Sequence, residues 1–169
     1  QAAIELLDEI IASSGEGGAA ADTLIARYFK SRRYAGSKDR RAVRELVYRA
    51  IRRSGERPSS GRATLLGLAE EEPELSALFD GSPHAPVPPL PDEDVAPASA
   101  SPSWLRDRFD PLVDEAELAA LLQRAPLDLR VNRLKGSRDE ALSALPEAVP
   151  TRLSPIGLRL PEGFQVEST

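Results

Sequence analysis

The stretch LDLRVNRLKGSRDEALSAL, residues 127–145, decides the fold, because the period of its apolar residues changes partway along it. Leu127, Leu129 and Val131 alternate with Asp128, Arg130 and Asn132, the two-residue repeat of a half-buried strand. After the turn RLKG, Ser137 and Glu140 stand three apart, the capping box that opens the helix RDEALSAL. A chain that makes this switch is not wholly helical. Downstream, VPTRLSP and GLRLPEG offer two short strands, so the last part is expected to be a β-α-β-β unit. The final VEST has no cap or closing element, and the expectation there is a chain cut off rather than finished.

Working upstream, Asp114 opens DEAELAALLQRA with an Asp-x-x-Glu helix start. Ser101-Pro102 predicts an N-cap followed by proline at the first helical position of PSWLRDRF. Between Gly81 and Ser101 lie six prolines and three acids, and this composition predicts an extended linker with no regular element. The first 80 residues predict a helical bundle. Ile4, Leu7, Ile10 and Ile11 share one face of a helix that GEGG at 15–18 ends. A second helix is expected from about Ala19 to Arg33, with Leu24, Ile25, Tyr28 and Phe29 as its stripe. Ser37 is positioned to cap the third, with Asp39 in its first turn. That helix is expected to carry Ala42, Val43, Leu46, Val47, Ala50 and Ile51 as a continuation of the same stripe. Two shorter helices follow, around Arg62–Ala69 and Pro73–Phe79.

Composition excludes several chemistries. With 169 residues the chain is one domain or two small ones. It has no cysteine, which removes disulfides, thiolate metal sites and cysteine nucleophiles. Its single histidine, His84, has no second of its kind, so neither a zinc site nor a Ser-His-Asp site is expected. No apolar run is long enough for a membrane span and no signal peptide opens the chain, which places it by default in the cytoplasm. SGEGGAAAD at 14–22 lacks both phosphate-loop patterns and follows no strand. Asp107 and Asp110 are expected to be ordinary surface acids, and Trp104 beside Leu105 a packing anchor rather than a base-stacking platform.

The net charge of -5 hides an asymmetry. Residues 25–57 hold 12 Lys and Arg against three acids, while the remainder holds 10 against 24. On the third helix Arg40, Arg41, Arg44, Arg49, Arg52 and Arg53 fall largely off the apolar stripe, and Arg32, Arg33 and Lys38 crowd the turn before it. Clustered cations of this kind neutralise phosphates, and arginine grips them through paired hydrogen bonds. The alternative is a solvated face, or one paired with the chain's own acids such as EEEPE at 70–74. Arg130, Asn132, Arg133 and Lys135 surround a strand end and turn. They suit either nucleic-acid contact or the polar side of a half-exposed strand.

From Ser101 to Phe164 the sequence resembles the region before the catalytic domain in the Sun/Fmu family, bacterial ribosomal RNA cytosine-C5 methyltransferases that use S-adenosylmethionine. The likeness rests on Pro102, Trp104 and Leu105; on Pro126, Leu129, Arg130 and Asn132; and on Ser137, Arg138 and Asp139, in the family's order. More loosely, ADTLIARYFKSRRYAGSKDRRAVRELVYRAIRR is similar to that family's helical N-terminal domain, which itself resembles the RNA-binding antitermination factor NusB. Lys38, Asp39, Arg40 and the run to Arg53 carry this second likeness.

The resemblance implies a mainly α chain with three parts. These are a shortened NusB-like bundle (1–80), a linker (81–101) and a pre-catalytic α+β module (102–169). It implies RNA contact by Arg32, Arg33, Lys38, Arg40, Arg41, Arg44, Arg52, Arg53, Arg130, Asn132, Arg133 and Lys135, with fixing the interface to the missing domain as the other role for Arg130 and Asn132. The implied partners are ribosomal RNA, with transfer RNA as the other candidate, and the chain's own catalytic domain; no membrane or metal is implied. Three departures limit it. The helical part is about half the family's length. The S-adenosylmethionine domain and both catalytic cysteines are missing, so no cofactor is expected in this chain, which alone would be inactive. The competing expectation is a helical protein-interaction module whose arginines bind an acidic partner surface.

Overall fold

The computed structural model describes residues 1–15, 17–123, 125–161 and 164. The expectations for VEST, and the part of GEGG at residue 16, lie outside them. The chain divides into two compact units, Gln1–Leu122 and Gln123–Thr169.

The first unit is built on amphipathic helices: α1 (Ala2–Gly15), α2 (Ala21–Ser31) and α3 (Ser37–Arg53). They turn Leu6, Leu7, Ile25, Tyr28, Phe29, Val47 and Ala50 into one core. Helix α4 (Gly61–Glu71) is different, because every residue from Ala63 to Ala69 is buried. A helix apolar all round belongs at the centre of a bundle, and α4 packs on α1 and α3. Its start is fixed twice. Ser60 Oγ accepts from the Ala63 N–H at 3.0 Å, and Asp8 Oδ1 of α1 accepts from the Gly61 N–H at 2.6 Å. The short α5 (Pro73–Ser76) begins on a proline and closes the core with Leu75 and, just beyond it, Phe79.

Two expected caps are corrected. Ser37 is the first residue of α3 rather than its cap. Gly36 precedes the helix, and its N–H donates to Asp39 Oδ2 at 3.2 Å. Ser101 does not cap the next helix, α6, which spans only Ser103–Arg106 with Pro102 before it. The Ser103 N–H instead donates to Glu56 Oε1, 2.6 Å away and 47 residues earlier. Ser101 itself is buried, and its hydroxyl finds no partner among the described residues. Helix α7 (Glu115–Leu121) is capped by Asp114, as its sequence predicts.

Residues 81–101 form no helix or strand, in line with their composition, yet they are fastened to the bundle. The Ala96 N–H donates to the Ala63 carbonyl at 3.0 Å and the Ser99 N–H to that of Arg53 at 2.9 Å. Arg62 of α4 pairs with Glu93 and donates to the Val87 and Pro88 carbonyls. Val95 packs on the core. Proline-rich backbone cannot form its own ladder, so side chains of α3 and α4 satisfy it.

The second unit is a three-stranded antiparallel sheet with one helix. Strands β1 (Leu127–Arg130), β2 (Val149–Pro150) and β3 (Gly157–Leu160) lie in the order β1-β3-β2, and α8 (Arg138–Ala144) connects β1 to β2. Leu127 opposes Leu160 and Leu129 opposes Leu158, which places all four on one face. Ala141, Leu142 and Leu145 of α8 and its following turn cover that face. On the other face Asp128 opposes Arg159, and the two make a bidentate pair at 2.7 and 2.9 Å. β3 lies between two strands joined by a helix, so this is a split β-α-β arrangement. The expected capping box is present: Ser137 Oγ accepts from the Glu140 N–H, and Glu140 accepts from the Ser137 N–H. The second strand is shorter than VPTRLSP suggests, because Pro150 has no N–H to donate and the chain turns after it.

Candidate nucleic-acid interface

The basic stretch splits into two halves with different fates. Its first half borders a groove of about 470 Å³ between α2 and α3, lined by Asp22, Ile25, Ala26, Phe29, Arg40, Arg41 and Arg44. Arg40, Arg41 and Arg44 sit at i, i+1 and i+4, so one side of α3 carries all three. Arg41 is exposed, as are Arg33 in the preceding turn and Lys38 at the start of α3. Arg40 holds that turn in shape: its Nε donates to the Ala35 carbonyl at 2.8 Å and its Nη2 to that of Arg33 at 3.5 Å. Arg44 Nη2 donates to Asp22 Oδ1 at 2.9 Å, and the same oxygen accepts from the Tyr48 hydroxyl at 2.5 Å. The Tyr48 hydrogen bond, followed by Arg44, holds the Asp22 carboxyl below its usual range.

The second half is engaged by the chain's own acids. Arg49 pairs with Glu72, Arg52 with Glu45 at 3.5 Å, and Arg53 with Glu71 at 2.7 Å. Arg53 also donates to the Ala96 carbonyl at 2.6 Å, and its side chain is only 10% exposed. Arg32, at the end of α2, stacks 3.6 Å from the Tyr28 ring centroid and pairs with Glu5 at 3.4 Å. Burial, then the hydrogen bond to Glu5, pushes the Tyr28 hydroxyl up to about 12. Arg32, Arg52 and Arg53 are thus structural clasps in this fold, and the pairing with residues 70–74 accounts for Arg49 and Arg53.

In the second unit Arg130 ends β1, and Arg130, Asn132, Arg133 and Lys135 are all exposed. Asn132 shapes the turn: its Oδ1 accepts from the Leu134 N–H at 3.0 Å and its carbonyl from that of Lys135 at 2.9 Å. The Val131 N–H donates to the Ile156 carbonyl, which brings the loop after β2 beside this turn. Arg152 of that loop lines the same hollow as Arg130. Leu134 and Leu153, at the tips of the two loops, are 97% and 94% exposed. Arg152 is not among the residues expected from sequence; its signal there is a lone arginine in a turn, made relevant by a fold contact. Trp104, expected to be a packing anchor, is 68% exposed, since α6 is too short to bury it.

Among the described residues no group of His, Asp and Glu could hold a metal ion, and no helix is long and apolar enough to cross a membrane. The strand-to-helix turn at 131–137 has a single glycine, and Ser137 uses its own side chain to cap the helix. Neither feature fits the glycine-rich cradle that S-adenosylmethionine would need there.

The helical unit thus carries an arginine-lined groove, and the second unit is a split β-α-β module. Residues 101–167 match the family described as Methyltr_RsmF/B-like, ferredoxin-like domain, whose fold agrees with the sheet order found here. The match covers residues 101–167 and does not extend to the helical unit that precedes them. No curated protein and no solved structure matches the chain.

Proposed function

We propose that this chain is the non-catalytic N-terminal part of an S-adenosylmethionine-dependent ribosomal RNA cytosine-C5 methyltransferase, and that it docks substrate RNA. The helical unit is read as NusB-like. It grips the RNA backbone through Arg33, Lys38, Arg40, Arg41 and Arg44. A second contact comes from Arg130, Arg133, Lys135 and Arg152 of the sheet unit. Methyl transfer falls to a separate domain that binds the cofactor and supplies the cysteine nucleophile.

The observation that carries this reading is the state of the arginines around the α2–α3 groove. A cation cluster built for stability is expected to be paired internally, as Arg49 and Arg53 are. Arg33, Lys38 and Arg41 are instead each exposed to solvent. Of these Arg41 lines the groove, and an exposed arginine there suits phosphate, which arginine grips bidentately.

The test is RNA binding by the chain after charge reversal. Arg40 and Arg44 also hold internal contacts, so Arg33→Glu/Lys38→Glu/Arg41→Glu is the cleaner variant, with Arg40→Glu/Arg41→Glu/Arg44→Glu beside it. Both should fail to retain a hairpin RNA, and the first should keep its helical circular dichroism and melting temperature. Removing one cation from the phosphate interface should flatten the salt dependence by a slope of about 0.7–0.9. Hairpin RNA should compete for the site where an acidic polypeptide does not. Undiminished retention by both variants would sink the reading.

A further inference from the structure

We propose that Asp22 is an internal stand-in for an RNA phosphate: its carboxylate occupies Arg44 in the free protein and gives way when RNA docks. The inference rests on the RNA-docking reading above and says how that site is regulated.

Two clasps of the same composition make the argument. In each, a carboxylate oxygen accepts both from a tyrosine hydroxyl and from an arginine. Glu5 takes Tyr28 at 2.7 Å and Arg32 at 3.4 Å; Asp22 takes Tyr48 at 2.5 Å and Arg44 at 2.9 Å. The first clasp is half-buried and Arg32 is stacked on its tyrosine, so it joins α1 to α2. The second stands in the open, with Asp22 69% and Arg44 59% exposed. Exposed ion pairs contribute little to stability, so this one is readily exchanged.

Its position is the second point. Asp22 lines the groove together with Arg40, Arg41 and Arg44. It is the acid among three arginines, at the place where an anionic oxygen would sit. A phosphate offers the same acceptor geometry with more oxygens and can reach Arg41 as well. Tyr48 remains as a donor for the incoming oxygen, because its hydroxyl already points at Asp22 Oδ1. The carboxylate therefore offsets one of the groove's three arginine charges when no other anion is there.

The experiment measures binding of a fluorescein-labelled hairpin RNA to the 169-residue chain by anisotropy at fixed salt. Asp22→Asn removes the charge and keeps the shape. It should bind about three- to tenfold tighter than the unaltered chain, the size expected when one competing charge leaves a phosphate site. Tyr48→Phe, which loosens Asp22, should shift affinity the same way by less. Glu9→Gln, an exposed acid on α1, should change affinity by less than about twofold. In the Arg44→Ala background the Asp22→Asn gain should vanish. Melting curves of Asp22→Asn and Asp22→Ala establish that each is folded.

Four outcomes overturn the proposal. If Asp22→Asn binds equally or more weakly, Asp22 positions Arg44 instead of competing for it. If the gain persists without Arg44, the effect is general charge. If Asp22→Asn gains affinity for polyglutamate rather than for the hairpin, the displaced carboxylate mimics a protein partner. If the unaltered chain binds no RNA, the docking reading fails together with this one; the first three outcomes leave docking intact.

Discussion

At the scale of single residues, the same side-chain type does opposite work at the two ends of α3, and burial decides which. Arg53 is 10% exposed and donates to both Glu71 and the Ala96 carbonyl. Removing it strands a buried carbonyl and takes a partner from an acid. Arg53→Ala should therefore cost about 1–3 kcal/mol of stability, seen as a lower urea midpoint. Arg41 instead stands exposed on the groove. Arg41→Ala should keep stability in urea within about 0.5 kcal/mol of the parent and weaken RNA binding. A chain in which Arg41→Ala destabilises more than Arg53→Ala contradicts this division. The cations are plain in the sequence, but the division is not. Which arginine meets an acid depends on α4 placing Glu71 and Glu72 beside the end of α3, a fact of tertiary packing.

At the scale of elements, the helices are legible where their determinants are local. The apolar stripes of α1 to α3, Asp114 before α7 and the box of Ser137 with Glu140 each act over a short span of chain. Caps supplied from a distance are not legible: Asp8 serves Gly61 and Glu56 serves Ser103. Nor is the docking of the proline-rich segment, which hangs on Arg53 and Arg62 side chains. Helix α4 makes room for it with Gly67, where a Cβ would lie inside van der Waals distance of the Ala96 carbonyl and of Arg53. Replacing a mid-helix glycine by alanine ordinarily stabilises by about 0.8–1 kcal/mol. Here the clash is with backbone, and overpacking of that kind costs about 1–3 kcal/mol. Gly67→Ala should therefore come out destabilising, by about 1 kcal/mol in urea, with hydrogen exchange quickening at the Ala96 and Ser99 amides. A stabilised Gly67→Ala variant would mean that the segment is not seated on α4.

At the scale of the whole molecule, the family match begins at residue 101 while the compact units divide between Leu122 and Gln123. The difference lies in how the first unit completes itself. Its bundle ends near residue 80 in sequence, but its core does not. Val95 and Ala96 add apolar packing, Glu93 meets Arg62, and the Ala96 carbonyl meets Arg53. The next residues are held by Glu56, which accepts from the Ser103 N–H, and by Arg106, which donates to Ser99 Oγ at 3.2 Å. A piece ending at residue 80 would leave Arg53 and Arg62 without these partners and uncover part of the core. Lost hydrogen bonds and uncovered apolar surface both cost stability, and small domains have little to lose. Residues 1–122 alone should melt in one cooperative transition, and residues 1–80 about 10 °C or more lower. Equal melting temperatures would make residues 81–101 a tether rather than part of the fold. The comparison also bears on RNA docking, since none of the groove residues lies beyond Arg44. Residues 1–122 should retain the Asp22 effect on hairpin binding in full, and forfeit only the affinity contributed by Arg130, Arg133, Lys135 and Arg152.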